Sequence, residues 1–191
     1  MPSFELPPSV PSTSNAFSRA VGRTAMRLGG WRFAGDFPDL SKFVVAIAPH
    51  TSNWDFFVAL AAKWAIGIEV VWIGKREMFR WPVAPILRSL GGIGVDRFNA
   101  QGIVQRVVDE FAARPRMVFV LAPEGTRKPV PHWRSGYWHV AHDARVPIVP
   151  VALDFKRKTL FVGPPQTTTE SLEDDERRLQ KFFAGVSGKR R

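Results

Sequence analysis

Short apolar runs bounded by turn residues alternate with segments of helical period, and this alternation constrains the fold more than any other feature of the chain. Phe43 to Ala48, Ile68 to Ile73 and Met117 to Leu121 are brief and rich in β-branched residues, and Pro49, Gly74 and Pro123 follow them closely. Apolar side chains on consecutive positions over so short a span predict strands covered on both faces. Ile93 to Asp96 is a shorter strand of the same kind. Val146 to Leu153 carries Pro147 and Pro150, which predicts a sheet edge or a bulge. Helical patterns fill the gaps at Trp54 to Ala65, Trp81 to Leu90, Asn99 to Ala113 and Arg134 to Asp143. In the third of these, Ile103, Val104, Val107, Val108 and Phe111 share one side. The acidic-then-basic segment Glu170 to Phe183 adds a last helix. The expected class is α/β, with a mainly parallel central sheet flanked by helices.

A chain of 191 residues fits one domain. The expected division is residues 1–30, a mobile leader with an amphipathic helix, and residues 31–191, the main domain. The opening MPSFELPPSVPSTS lacks the basic-then-apolar order of a signal peptide, and its prolines and serines read as a mobile leader. From Asn15 to Leu28, Phe17, Val21, Thr24 and Leu28 keep helical spacing while Arg19, Arg23 and Arg27 recur every four residues. Two readings fit: an interfacial membrane helix, or a helix packed on the domain with a solvated arginine row. No apolar run approaches the roughly 18 residues of a transmembrane helix.

The 27 basic residues against 17 acidic give a formal charge of +10, which favours anionic partners: nucleic acid, acidic lipid, phosphorylated substrates or an acidic carrier protein. Seven Trp and fifteen Phe tilt the choice toward a membrane surface. The basic residues are spread along the chain without a nucleic-acid motif, so no nucleic-acid partner is expected. A basic, non-catalytic lipid- or nucleic-acid-binding protein is the alternative to an enzyme. The absence of cysteine excludes disulfides and thiolate metal sites and points to a reducing compartment. His132, His139 and His142 lack a carboxylate partner, so no metal is expected there.

Two segments carry candidate chemistry, each directly after a strand. In Pro49-His50-Thr51-Ser52-Asn53-Trp54-Asp55, the histidine and aspartate are five positions apart. Within one helix they would diverge by roughly 140°. With His50 in the turn and Asp55 in the first helical turn, the carboxylate can curl back and orient the imidazole, leaving the other nitrogen as a base. The plain alternative is a capped helix, with Ser52 or Asn53 as the cap and His50 incidental. In Ala122-Pro123-Glu124-Gly125-Thr126-Arg127-Lys128, a glycine admits close approach, a hydroxyl follows, and Arg127 offers a planar fork suited to phosphate. A simple turn with solvated charges fits the same letters. Lys75 and Arg97 follow two further strand ends, so four strand ends aim toward one crevice, where open α/β sheets bind ligands.

Together these residues resemble the glycerol-3-phosphate and lysophosphatidic acid acyltransferase superfamily, the PlsC-like glycerolipid acyltransferases. Four blocks between Phe43 and Leu153 carry the resemblance in order. They are His50 with Asp55, the stretch from Gly74-Lys75 through Gly91-Gly92-Ile93-Gly94-Val95-Asp96-Arg97, the Pro123 to Arg127 signature, and the apolar Val146-Pro147-Ile148-Val149-Pro150-Val151. Pro49 stands where many members carry asparagine, and Ala122 where an aromatic is common.

The resemblance implies a glycerol-3-phosphate acyltransferase-like fold and transfer of an acyl group from acyl-CoA or acyl-ACP to a lysophospholipid-type hydroxyl, without a cofactor. His50 would be the base and Asp55 its orienting group. Lys75, Arg97, Glu124, Gly125, Thr126 and Arg127 would form the substrate-binding set, with Glu124 organising its loop. The implied setting is the cytoplasm, peripheral at the inner face of an anionic membrane.

Overall fold

A computed structural model describes residues 4–13, 15–95, 100–128, 130 and 132–189. In chain order the elements are α1 (Ala16–Gly29), β1 (Arg32–Ala34), β2 (Lys42–Ala48), α2 (Trp54–Ile66), β3 (Val71–Lys75), a 3-10 turn (Arg76–Met78), α3 (Ala84–Ser89), β4 (Gly92–Val95), α4 (Ala100–Ala113), β5 (Met117–Leu121), α5 (Gly136–Asp143), β6 (Ile148–Asp154), β7 (Thr159–Val162) and α6 (Leu172–Phe183). The described strands make one seven-stranded sheet in the order β1-β7-β6-β2-β5-β3-β4. β6, β2, β5, β3 and β4 run parallel; β7 reverses against β6, and β1 pairs parallel to β7. This is the mainly parallel α/β architecture that the alternation of runs predicts.

Period-two alternation along the strands divides the core into two layers. Phe43 and Val45 of β2, Val118 of β5 and Val151 of β6 face one side, where Met26, Ala62, Ala65 and Ile66 of α1 and α2 cover them. Val44, Ala46, Phe119 and Ile148 face the other side, under Val107 and Phe111 of α4, Tyr137 and Val140 of α5 and Leu179 of α6. A helix layer on each face leaves no strand surface wet at the centre of the sheet.

The Val146 to Leu153 run is not at the edge. β6 lies between β2 and β7. Pro150 sits opposite Ala46 of β2, and its carbonyl accepts from the Gly163 N–H at 2.8 Å on the other side, just past the last β6–β7 pair, Val151 with Val162. Antiparallel pairing resumes at Ile148 with Gln166, three residues along β6 but four along its partner, so Pro150 falls at a bulge-like step that an interior strand tolerates. β1 and β7 are too short and too mixed in composition to stand out in the sequence.

The described part of the leader packs on the domain. Val10 is 1 % exposed, and Phe4 and Leu6 pack against the same core layer. The Glu69 N–H donates to the Pro11 carbonyl and the Thr13 N–H to Gly67, which lays the segment along the start of the β3 connection. Its prolines extend the backbone, and its apolar residues then have a core surface to cover.

α1 packs on α2, and two of its arginines are not merely solvated. Its buried residues are Gly22 and Met26. A Cβ on Gly22 would stand 2.3 Å from the Ala65 nitrogen, so the glycine lets the two helix backbones touch. Arg19 donates to the Ile66 carbonyl at 2.9 Å and Arg23 to the Ala65 carbonyl at 3.3 Å. Both satisfy acceptors that the C-terminus of α2 leaves open. Phe17, Val21 and Leu28 point to solvent; Phe17 and Leu28 are 78 % and 84 % exposed.

Candidate active site

β2 ends at Ala48, and five residues, Pro49 to Asn53, carry the chain into α2. Asp55 lies in the first turn of the helix and is 4 % exposed. Its Oδ2 accepts from the Thr51 N–H at 2.7 Å and from the Ser52 N–H at 2.8 Å. The same oxygen lies 3.1 Å from His50 Nδ1. Three donors thus converge on one carboxylate oxygen, and the positive end of the α2 dipole adds to them. Asp55 Oδ1 is buried and takes no hydrogen bond from the described residues. With Nδ1–H directed at Asp55, Nε2 of His50 is the nitrogen left to accept a proton. Asn53 makes no side-chain cap; the Ser52 hydroxyl accepts from the Trp54 N–H at 3.2 Å and does the capping.

The loop after β5 reaches this turn directly. Glu124 Oε2 accepts from the His50 N–H at 2.5 Å. Burial raises the Glu124 carboxyl above its ordinary value; the His50 N–H and the His50 side chain oppose that shift, and Asp55 adds to it. The glutamate therefore braces the histidine's backbone, a position that spacing could not assign because it depends on β2 and β5 being neighbours. Gly125 has φ +63°, a conformation suited to glycine. The Arg134 side chain lies across it, with Cδ 2.5 Å from where a Cβ would stand. The Arg134 N–H also donates to the Pro123 carbonyl at 2.9 Å. Arg134 is a cation beside the loop that sequence reading placed in a helix; only its burial of the glycine face gives it away.

Among the described residues, the other expected ones are not bonded to the His50–Asp55 pair. Lys75 is exposed at the end of β3, the strand beside β5. Thr126 is half-buried, with its hydroxyl accepting from the Lys128 N–H at 3.3 Å, and Arg127 is exposed. None of Lys75, Thr126 and Arg127 forms a hydrogen bond or ion pair with His50 or Asp55 among the described residues. Arg97 lies outside the described residues. His142 stacks on Trp138 with ring centroids 4.5 Å apart, and His139 meets the same ring edge-on, so these two histidines belong to the surface of α5.

An aromatic ridge runs outward from the start of α2. Ring contacts link Trp54 to Phe57, Phe57 to Phe56, Phe56 to Trp72 and Trp72 to Phe79 at 5.6 to 5.9 Å between centroids. Trp54, Phe56 and Phe57 are exposed, as are Met78, Trp81, Val83 and Ile86 beyond them, Trp81 at 89 %. Core packing therefore does not account for these residues.

A family model described as Acyltransferase matches residues 32–154, a span that runs from β1 through β6 and contains the His50, Lys75 and Glu124 segments. The chain belongs to the acyltransferase family. Relatives within it are distant. The 1-acyl-sn-glycerol-3-phosphate acyltransferase of Cocos nucifera is 25 % identical over 168 residues, which covers 82 % of this chain and 54 % of that protein. The enzyme of the same name from Escherichia coli (strain K12) is 32 % identical over 116 residues, 57 % of this chain and 46 % of that protein. The chain thus spans about half the length of the curated relatives it matches. The crystal structure of the 1-acyl-sn-glycerophosphate (LPA) acyltransferase PlsC from Thermotoga maritima shares the fold. Its TM-score is 0.61 at 16 % identity, covering 87 % of this chain and 75 % of that one.

Proposed function

We propose that this member of the acyltransferase family moves a fatty acyl group from acyl-CoA or acyl-ACP to the hydroxyl of a lysophospholipid-type acceptor, with 1-acylglycerol-3-phosphate as the default, in phospholipid biosynthesis. The observation that carries the reading is the imidazole held 3.1 Å from a buried carboxylate. His50 Nε2 takes the proton of the acceptor hydroxyl as its oxygen attacks the thioester carbonyl. A carbon–oxygen bond forms and the carbon–sulfur bond breaks, and the proton passes from His50 to the departing sulfur. Asp55 orients the ring and stabilises the imidazolium. Lys75, Arg97, Thr126 and Arg127 hold the acceptor phosphate, with Gly125 giving their loop its left-handed turn and Glu124 fixing the loop against His50. Anchoring the phosphate sets the hydroxyl beside the base, and positioning supplies much of the rate.

The same reading places the chain at the inner face of an anionic membrane. No helix among the described residues is long and apolar enough to cross a bilayer. What supports surface contact is the outward Phe17, Val21 and Leu28 together with the exposed ridge around Trp81, on a chain of net charge +10.

A panel of lyso-lipid acceptors with both donors tests the reading. Transfer to one acceptor that vanishes in His50→Ala supports it. Undiminished transfer by a folded His50→Ala protein refutes it.

A further inference from the structure

We infer that a second cationic pocket, at the β6–β7 turn on the far side of His50 from the Glu124 loop, binds the phosphate-bearing end of a phosphopantetheine thioester; the inference rests on the acyl-transfer reading above. The pocket is a cavity of about 440 Å³ walled by Trp31, Trp54 and Phe155 and by Lys156, Lys158 and Lys189. No carboxylate among the described residues lines it.

Its place follows from the sheet register. Ala48 pairs with Ala152, so β6 runs on to Asp154, two residues past the end of β2, before turning through Phe155 to Lys158. β1 starts at the same end, since Arg32 pairs with Thr159. Trp31, the residue before it, meets Phe155 edge-on at 4.9 Å. Asp154 braces the turn. It is 1 % exposed, and its two oxygens accept from the Arg157 N–H and the Arg157 guanidinium, each at 2.9 Å. Arg157 is thereby committed. Lys156 and Lys158 have no carboxylate partner among the described residues, and Lys189 Nζ sits 5.8 Å from the centre of the Phe155 ring.

Two contacts join the cavity to the catalytic turn. Trp54 lines it and is the covalent neighbour of Asp55. Gly188, also in the lining, lies against Thr51, with a Cβ there standing 2.6 Å from Thr51 Cγ2. Thr51 follows His50 in the chain.

The chemistry of the lining selects an anion with a flat or slender apolar portion. Ammonium groups bind phosphate as point charges, and aromatic faces accept a heterocycle or a pantetheine arm. The cations after β3 and β5 lie on the other side of β2. Two anionic substrates can therefore be held on separate cations, one on each flank of the strand that carries His50. Coenzyme A and an acyl carrier protein share the phosphopantetheine, so either could be its source.

The test uses free CoA and holo-acyl carrier protein as probes, with Trp31 and Trp54 fluorescence as the readout. At least one probe should bind the full chain. Its Kd should rise roughly tenfold, about 1.4 kcal/mol, in the Lys156→Ala/Lys158→Ala double variant, and the Lys156→Arg/Lys158→Arg variant should restore it. Whichever probe responds identifies the source. In transfer assays the alanine pair should raise KM for that donor, leave KM for the acceptor alone, and not affect a phosphate-free N-acetylcysteamine thioester. Binding of neither probe, wild-type binding by the alanine pair, or an equal loss with the phosphate-free thioester would overturn the inference. His50→Ala separates the two claims, because it should keep CoA or carrier binding while losing transfer. Probe binding without transfer to any acceptor would sink the acyl-transfer reading alone.

Discussion

Two buried aspartates sit in first turns of helices, yet their surroundings differ in kind. Asp175 of α6 is 2 % exposed. Its Oδ2 takes the Trp138 indole N–H at 2.8 Å and the Thr169 N–H at 2.6 Å. Its Oδ1 takes the Thr169 hydroxyl at 3.0 Å and pairs closely with Arg178. Both oxygens are fully used. Asp55 of α2 instead crowds two backbone N–H groups and His50 onto one oxygen and leaves the other without a described partner. A carboxylate that only stabilises is saturated. At Asp55 the group held is an imidazole bound through one nitrogen, as the proposed base requires.

Breaking the comparison at its reactive end should have the largest effect. His50→Ala should lower kcat by about 10³-fold or more at nearly unchanged thermal stability, read by steady-state transfer and calorimetry. Asp55→Asn should follow at roughly 10²-fold, because the amide can keep one backbone N–H but no longer stabilises an imidazolium. A variant of either kind with wild-type turnover would place the chemistry elsewhere.

At the saturated end the readout changes. Asp175→Asn should cost about 2–3 kcal/mol of unfolding free energy, because a hydrogen-bonded buried charge loses its arginine partner, while transfer per folded molecule stays the same. Burial alone would raise the Asp175 carboxyl, but the hydrogen bonds from Thr169 and Trp138 and the charge of Arg178 outweigh it and hold it below 3.8. Its stabilisation is therefore present above 3.8 and is lost as the pH falls through the lower folded value. Urea titrations from pH 5 downward should show wild type losing that advantage over Asp175→Asn.

Glu124 has the opposite sign. Burial raises its carboxyl above 4.5, so the folded state favours the protonated form. That contribution is complete below 4.5 and disappears as the pH rises through the raised folded value. Glu124→Gln should therefore slightly raise the melting temperature near neutral pH, and the gap should close as the pH approaches 4.5.

The smallest effect is expected at the exposed apolar face of α1, where the proposal puts membrane contact. Removing α1 would strip Arg19 and Arg23 from α2, so truncation tests packing rather than lipid contact. Phe17→Ser with Leu28→Ser leaves those bonds intact. It should reduce sedimentation with anionic vesicles several-fold without a change in melting temperature. Unchanged sedimentation would remove α1 from the docking surface.

The contrast between the aspartates also marks what a linear reading can reach. The α/β class was legible because β2, β3 and β5 are short apolar runs between helical patterns. His50 and Asp55 were legible as a pair because a single turn connects them. The bond from Glu124 to the His50 N–H was not, since it spans 74 positions and exists only because β2 and β5 are adjacent. Pro150 left an edge and a bulge open, and choosing between them needs the strand order and the register of the partner strand. Asp175 gave no signal at all, as its partners Trp138 and Thr169 lie in different elements of the chain. Arg19 and Arg23 looked like a solvated row because the carbonyls they meet belong to the end of another helix.

α2 is gripped at both ends, by the Asp55 carboxylate folding back over the turn and by two guanidinium groups at Ala65 and Ile66. A rod fastened this way has a fixed residue count. Inserting one residue between the grips would rotate one against the other by about 100° and shift it about 1.5 Å along the axis, so one fastening must fail. The length of α2 is therefore as constrained as the small and apolar side chains on its buried face.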